Sequence, residues 1–227
     1  MVGIDPGTTS FKTAYMAALQ TWTKDQVSML SARTLDATII ANFPGHSQSG
    51  LTNVSTSLIY NEDGKLLKWG HGVTNFLDHD SFDPDYLVNH WKFGLHDPAL
   101  RRILTLVAER IGKENPESFV EDFFRAWGSY LFEDQTSALL KAEGGNLKGY
   151  KYVDIVIAVP PGWPHGEHTS FAQAATRGLG PKDGHRIFLV SETECVLRSW
   201  MQQGARKVFS HVCHILLLCR IMSLTRV

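Results

Sequence analysis

Residues 151–159, KYVDIVIAV, leave this chain little structural freedom. From Val153 to Val159 the run is apolar apart from Asp154 and rich in β-branched residues, so it reads as a strand buried inside a sheet. Such a strand needs covering layers and neighbours. The residues after it supply them: 165–177 is patterned as a helix, HRIFLV at 185–190 as a second strand, and 192–203 as a second helix. The first third of the chain is strand-rich as well. Residues 1–5 and 11–18 read as a hairpin turned at GTTS, and DATIIANF at 36–43 contains a third strand. TSLIY (56–60) and KLLKWG (65–70) form a second hairpin around Asp63-Gly64.

Between these halves the patterning is helical. Asp97-Pro98 is an N-cap with a first-turn proline, and Leu100, Ile103, Leu104, Val107 and Ile111 recur at helical spacing until Gly112. Asn115-Pro116 opens a second helix that aligns Val120, Phe123, Phe124, Trp127, Tyr130 and Leu131 on one face before Gly144-Gly145. The element order is three strands, a mostly helical insertion with its own hairpin, then strand, helix, strand, helix. That order places the chain in the α/β class.

Composition narrows the function classes. With 227 residues, 43% of them apolar and 20% charged, the chain can bury a substantial core. A formal charge of -1 gives no general attraction for nucleic acid or an anionic membrane. Cys195, Cys213 and Cys219 contain no C-x-x-C pair, which argues against a disulfide framework or structural zinc and for a reducing, cytoplasmic setting. The start lacks the charged and apolar regions of a secretory signal, which makes Asn53-Val54-Ser55 an idle glycosylation match.

The opening GIDPGTTS carries the most chemistry. A strand ending in Asp5 and turning through Gly7, Thr8 and Thr9 presents a carboxylate beside backbone N–H groups and hydroxyls, a nest suited to phosphate oxygens with a metal ion nearby. An ordinary hairpin turn uses the same residues. Three stretches together go further. VGIDPGTTSFKTAYM resembles the first phosphate motif of the actin-like ATPases, in particular the seventy-kilodalton heat-shock chaperones and their divergent fungal-type relatives. VDIVIAVPPGWP (153–164) is similar to the strand and Val-Pro segment that re-enters that family's core, and IFLVSETECVLRSW (187–200) resembles its glutamate-containing helix start. The resemblance covers about residues 2–204.

It implies a ribonuclease-H-like lobe with a mostly helical insertion: core at 1–50 and 148–204, inserted subdomain at 51–147, and an atypical tail at 205–227. It also implies ATP or ADP with magnesium as ligand, and client polypeptides and co-chaperones as partners. Carried over residue by residue, Asp5 and Glu192 help order the hydrated metal ion, Gly7, Thr8 and Thr9 cradle the phosphates, and Lys92 in NHWKFGLHD and Glu192 are the catalytic pair. Pro160 belongs to the joint that passes on nucleotide state.

The sequence also departs from the family. Pro6 stands at a usually bulky apolar position and removes a backbone donor. Thr193 and Cys195 replace the usual Pro and Ala. After Gly204 there is no glycine, and after Glu194 no Asp or Glu, so the second phosphate loop and its acid are missing. The expectation is a truncated lobe with little or no ATP binding and no hydrolysis by itself, whose exposed apolar surface favours self-association. The tail is too short and too interrupted, by His211, His214 and Arg220, to span a membrane, and Cys213, His214 and Cys219 lack tetrahedral-site spacing.

Two alternatives stand beside this reading. Gly-Ile-Asp-Pro-Gly also resembles resolvase-type nucleases on the same core, where Asp5 with Glu192 or Asp154 would ligate metal ions. A degenerate half-domain acting as a non-enzymatic interaction fragment is the other. His165-Gly-Glu-His168 reads as the polar first turn of a helix rather than as a metal site.

Overall fold

The computed structural model describes residues 1–15, 38–40, 43–44, 54–77, 83–147, 152–180, 185–195 and 197. Its main sheet contains β1 (Val2–Pro6), β2 (Ser10–Tyr15), β3 (Thr38–Ile40), β4 (Val54–Ser55), β8 (Val153–Val159) and β9 (His185–Ser191). The strand order is β3-β2-β1-β8-β9, with β4 also on β2. β2 is antiparallel to β1, β3 and β4, whereas β8 is parallel to both β1 and β9. The protein is therefore mixed α/β with a mixed sheet. The apolar run β8 is central, as its composition requires, and from Asp154 to Val159 every residue is buried.

A second sheet, β6-β5-β7, is formed by β5 (Leu58–Tyr60), β6 (Leu66–Trp69) and β7 (Leu87–Val88). The strands are accompanied by α1 (His71–Leu77), α2 (Trp91–Gly94), α3 (Pro98–Arg110), α4 (Glu117–Glu133), α5 (Ala138–Ala142) and α6 (His165–Leu179), with a 3-10 turn at Pro84–Tyr86. Asp97 caps α3 by accepting from the N–H groups of Ala99 and Leu100 at 2.8 and 3.0 Å. None of the described helices is long and apolar enough to cross a membrane.

One face of the sheet is covered by α4 and α6. Gly178 lets them approach closely, since a Cβ there would lie 2.2 Å from the Glu121 carbonyl oxygen. Phe11, Phe123, Phe124, Trp127 and Phe171 fill the layer between helices and strands, with edge-on ring contacts of 5.1 to 6.0 Å. The Trp127 indole donates to Thr13 Oγ1 at 3.0 Å, pinning α4 to β2.

The sequence reading differs from the structure in three places. Ile103, assigned to the buried stripe of α3, is 55% exposed, and the inward face is formed by Leu104, Ala108 and Ile111. The second long helix ends at Glu133 instead of continuing towards Gly144, because Asp134 and Ser137 offer better local bonding: Asp134 Oδ1 accepts from Thr136 N, and Ser137 Oγ accepts from Leu140 N to start α5. The short elements α1, α2 and β7 had no sequence signal, since none is long enough to show a period. Residues 205–227, and with them the truncated-strand and Cys213, His214, Cys219 readings, lie outside the described residues.

Candidate functional site

β1 delivers Asp5 one residue before its end, and the chain then turns at once into β2. Gly7 N–H donates to the Asp5 carbonyl at 3.0 Å. A Cβ at Gly7 would lie 2.5 Å from the Ser10 carbonyl oxygen, so the turn closes only on glycine. The sequence alone assigned Gly7 to close approach by a ligand; the chain's own backbone already requires it. Gly7 and Thr8 are half-buried and Thr9 is exposed.

Lys92 arrives from 87 positions further along, on α2. Its approach is set by His90, which adopts φ 54° and ψ 24°, the only positive φ outside glycine among the described residues. The left-handed step directs the chain inward, so that Trp91 and Lys92 are both buried although His90 itself is exposed. Lys92 Nζ donates to Glu192 Oε1 at 2.9 Å, with side-chain exposures of 5% and 36%. Glu192 follows directly on β9 and opens a helical turn, 192–195, whose Cys195 is buried against Val156 and Ala158 on the other face of the sheet.

Asp5 lies within the field of this pair. Burial pushes its carboxyl above the ordinary value, Lys92 pulls it down, Glu192 pushes it up, and its cross-strand neighbour Lys12 pulls it down. Among the described residues no hydrogen bond reaches the Asp5 carboxylate. The fold thus gathers Asp5, Lys92 and Glu192 beside the Gly7-Thr8-Thr9 turn. The donor set suits magnesium, which keeps most of its waters and takes one or two carboxylates together with phosphate oxygens. No group of three or more His, Cys, Asp or Glu side chains that could cage a cation occurs among the described residues.

Asp154 does not join the site. Since Val2 pairs with Ile155 and Ile4 with Ile157, Asp154 is level with Met1 and lies about four residues, ~13 Å, from Asp5 along the sheet. There it accepts from Arg186 Nε at 2.6 Å. The His165–His168 cluster is used elsewhere: Glu167 Oε2 meets His96 Nδ1 at 2.8 Å, and His168 Nε2 donates to the Pro160 carbonyl at 3.2 Å. Pro160 is therefore tied to the first turn of α6.

Two further contacts were not read from the sequence. Thr56 bonds to the back of the Thr8-Thr9 turn, and Trp91 bonds to Thr56. The one available signal was a tryptophan beside the candidate lysine, and nothing in TSLIY marked Thr56. No protein-family model matches the chain, and no curated protein matches it.

Proposed function

We propose that the chain is the N-terminal part of a nucleotide-binding domain of the actin-like ATPase class, of the seventy-kilodalton heat-shock type, with a ribonuclease-H-like core. The observation that carries this reading is the Lys92–Glu192 contact within electrostatic reach of Asp5, three residues drawn from distant parts of the chain, with Asp5 opening a Gly-Thr-Thr turn. The sheet agrees with it, since β2 alone runs against the other strands of the order β3-β2-β1-β8-β9.

In this reading the Thr8 and Thr9 N–H groups and hydroxyls receive the phosphates of ATP or ADP. Lys92 holds a buried positive charge towards the transferred phosphoryl group, and Glu192 keeps that charge oriented. Asp5 and Glu192 would hold magnesium through water, and the ion would neutralise charge on the phosphate oxygens. The half-buried Asp5 carboxylate, which no hydrogen bond reaches among the described residues, fits a neighbouring cation.

Phosphoryl transfer needs charge stabilisation from both sides of the nucleotide. Residues 205–227 contain no Gly, Asp or Glu from which to build a second phosphate loop. In this reading the chain by itself binds nucleotide weakly and does not turn it over, and client polypeptides and co-chaperones in a cytoplasmic setting are the partners that the parent family implies. The resolvase-type alternative gains nothing from Asp154, which is distant from Asp5 and paired to Arg186.

The test is titration of the isotopically labelled chain with magnesium ATP, followed by amide shifts. Weak, saturable shifts centred on residues 5–10, 92 and 192, lost in Asp5→Ala/Thr8→Ala and without phosphate release, support the reading. Shifts elsewhere, or none, overturn it, and cleavage of branched DNA would favour the nuclease.

A further inference from the structure

We infer that Thr56 is the positioning residue that sets the phosphate turn and locks it to the element bearing Lys92; the inference rests on the nucleotide reading above. Thr56 Oγ1 donates to the Thr8 carbonyl at 3.0 Å, and Thr56 N–H donates to the Thr9 carbonyl at 3.2 Å. Both bonds come from the segment joining β4 to β5. In a trans peptide the carbonyl and the following N–H point in opposite directions. Holding the carbonyls of Thr8 and Thr9 from behind therefore turns the N–H groups of Thr9 and Ser10 to the opposite side, away from the β4–β5 joint. A phosphate nest needs this arrangement, with donors forward and acceptors engaged at the rear.

Thr56 is held in its turn. Its own carbonyl accepts from the Trp91 indole at 2.7 Å, and both Thr56 and Trp91 are buried. The next residues continue the tie: Ser57 Oγ donates to Asn89 Oδ1 at 2.5 Å, and Leu58 pairs with Val88 across β5 and β7. Residues 56–58 and 88–91 are thereby laced together step by step, and Lys92 is the next residue in the chain. One threonine thus carries the phosphate turn on one side and the approach to the lysine on the other. A shift of the turn is transmitted to Lys92 through a buried, bonded path of two residues.

The test uses Thr56→Val, which keeps the shape and the backbone N–H but loses the hydroxyl; Thr56→Ser, which keeps the hydroxyl; and Trp91→Phe, which keeps the ring and loses the donor. Backbone order parameters and magnesium ATP titrations are measured on the full 227-residue chain, with amides of β8 as a control for global unfolding. In Thr56→Val, order parameters at residues 7–9 are expected to fall from the rigid range near 0.85 to below about 0.6. ATP affinity should drop by about tenfold, as for one lost buried hydrogen bond. Thr56→Ser should restore both, and Trp91→Phe should loosen the turn although it does not touch it. An unchanged turn in Thr56→Val, a Thr56→Ser variant as loose as the valine, or a Trp91→Phe effect confined to residues 91–94 overturns the inference. If the unmodified chain binds no ATP, the ATPase reading fails, while the order parameters still decide the role of Thr56. Should Thr56→Val not fold, Trp91→Phe and Thr56→Ser carry the same decision.

Discussion

The two ends of the central sheet each hold an acid, Asp154 buried at one and Asp5 half-buried at the other, and they treat it in opposite ways. At the N-terminal end of β8, Asp154 faces Arg186 at 2.6 Å, and that guanidinium also lies over the Tyr152 ring at 4.6 Å. At the C-terminal end of β1, Asp5 has no such bond among the described residues, and the nearby lysine is given to Glu192. A satisfied acid stabilises the fold, whereas an acid left short of donors costs stability and keeps capacity for a ligand. The contrast separates a structural end of the sheet from a candidate working end.

Substitution should expose this difference in sign. Asp154→Ala removes a charged hydrogen bond and is expected to destabilise by about 2 kcal/mol in chemical denaturation. Asp5→Asn removes the poorly satisfied charge and should stabilise by about 1 kcal/mol, while weakening any magnesium ATP binding. Destabilisation by both would erase the proposed distinction.

A pH series sharpens it. Because the native Asp5 carboxyl titrates above its ordinary value of 3.8, the folded state holds the proton more tightly than the unfolded state. Its contribution is favourable in acid and is lost as pH rises from the ordinary value through the native one. Asp5→Asn should remove this fall, measured as the difference in stability between the two proteins across that window. Glu192→Gln, which withdraws a negative neighbour, should move the Asp5 titration downward, read from its side-chain carbon shift.

The smallest effect is expected of His90→Gly, at the entry to Lys92. His90→Gly should be neutral or stabilising by up to about 0.5 kcal/mol, since glycine accepts the left-handed conformation freely but loses more entropy on folding. A β-branched residue there should cost about 1–2 kcal/mol in thermal unfolding. If His90→Ile were harmless, the left-handed step would not constrain the lysine.

Much of the fold was legible because its signals are local. The run at 153–159, the Asp97-Pro98 cap and the Gly-Thr-Thr turn each declare their structure within a few residues. The α3 stripe was misread at Ile103 because period alone cannot say how wide a face its neighbour covers. The end of α4 was misread because capping at Asp134 and Ser137 competed with continuing periodicity. Within the site, Asp5, Gly7, Thr8 and Thr9 are contiguous or nearly so, and hence readable as a unit. Lys92 and Glu192 emerged only through likeness to a family, and Thr56 and Trp91 not at all.

The sequence by itself determined the α/β element order, the turn after Asp5 and the buried central strand, because short-range sterics and hydrophobic periodicity act between near neighbours. Only the tertiary structure decided that Lys92 bonds Glu192, that Asp154 is spent on Arg186 ~13 Å from Asp5, and that Thr56 backs the turn. Those outcomes depend on strand register and on a left-handed residue at position 90, and register is settled by the packing of whole elements.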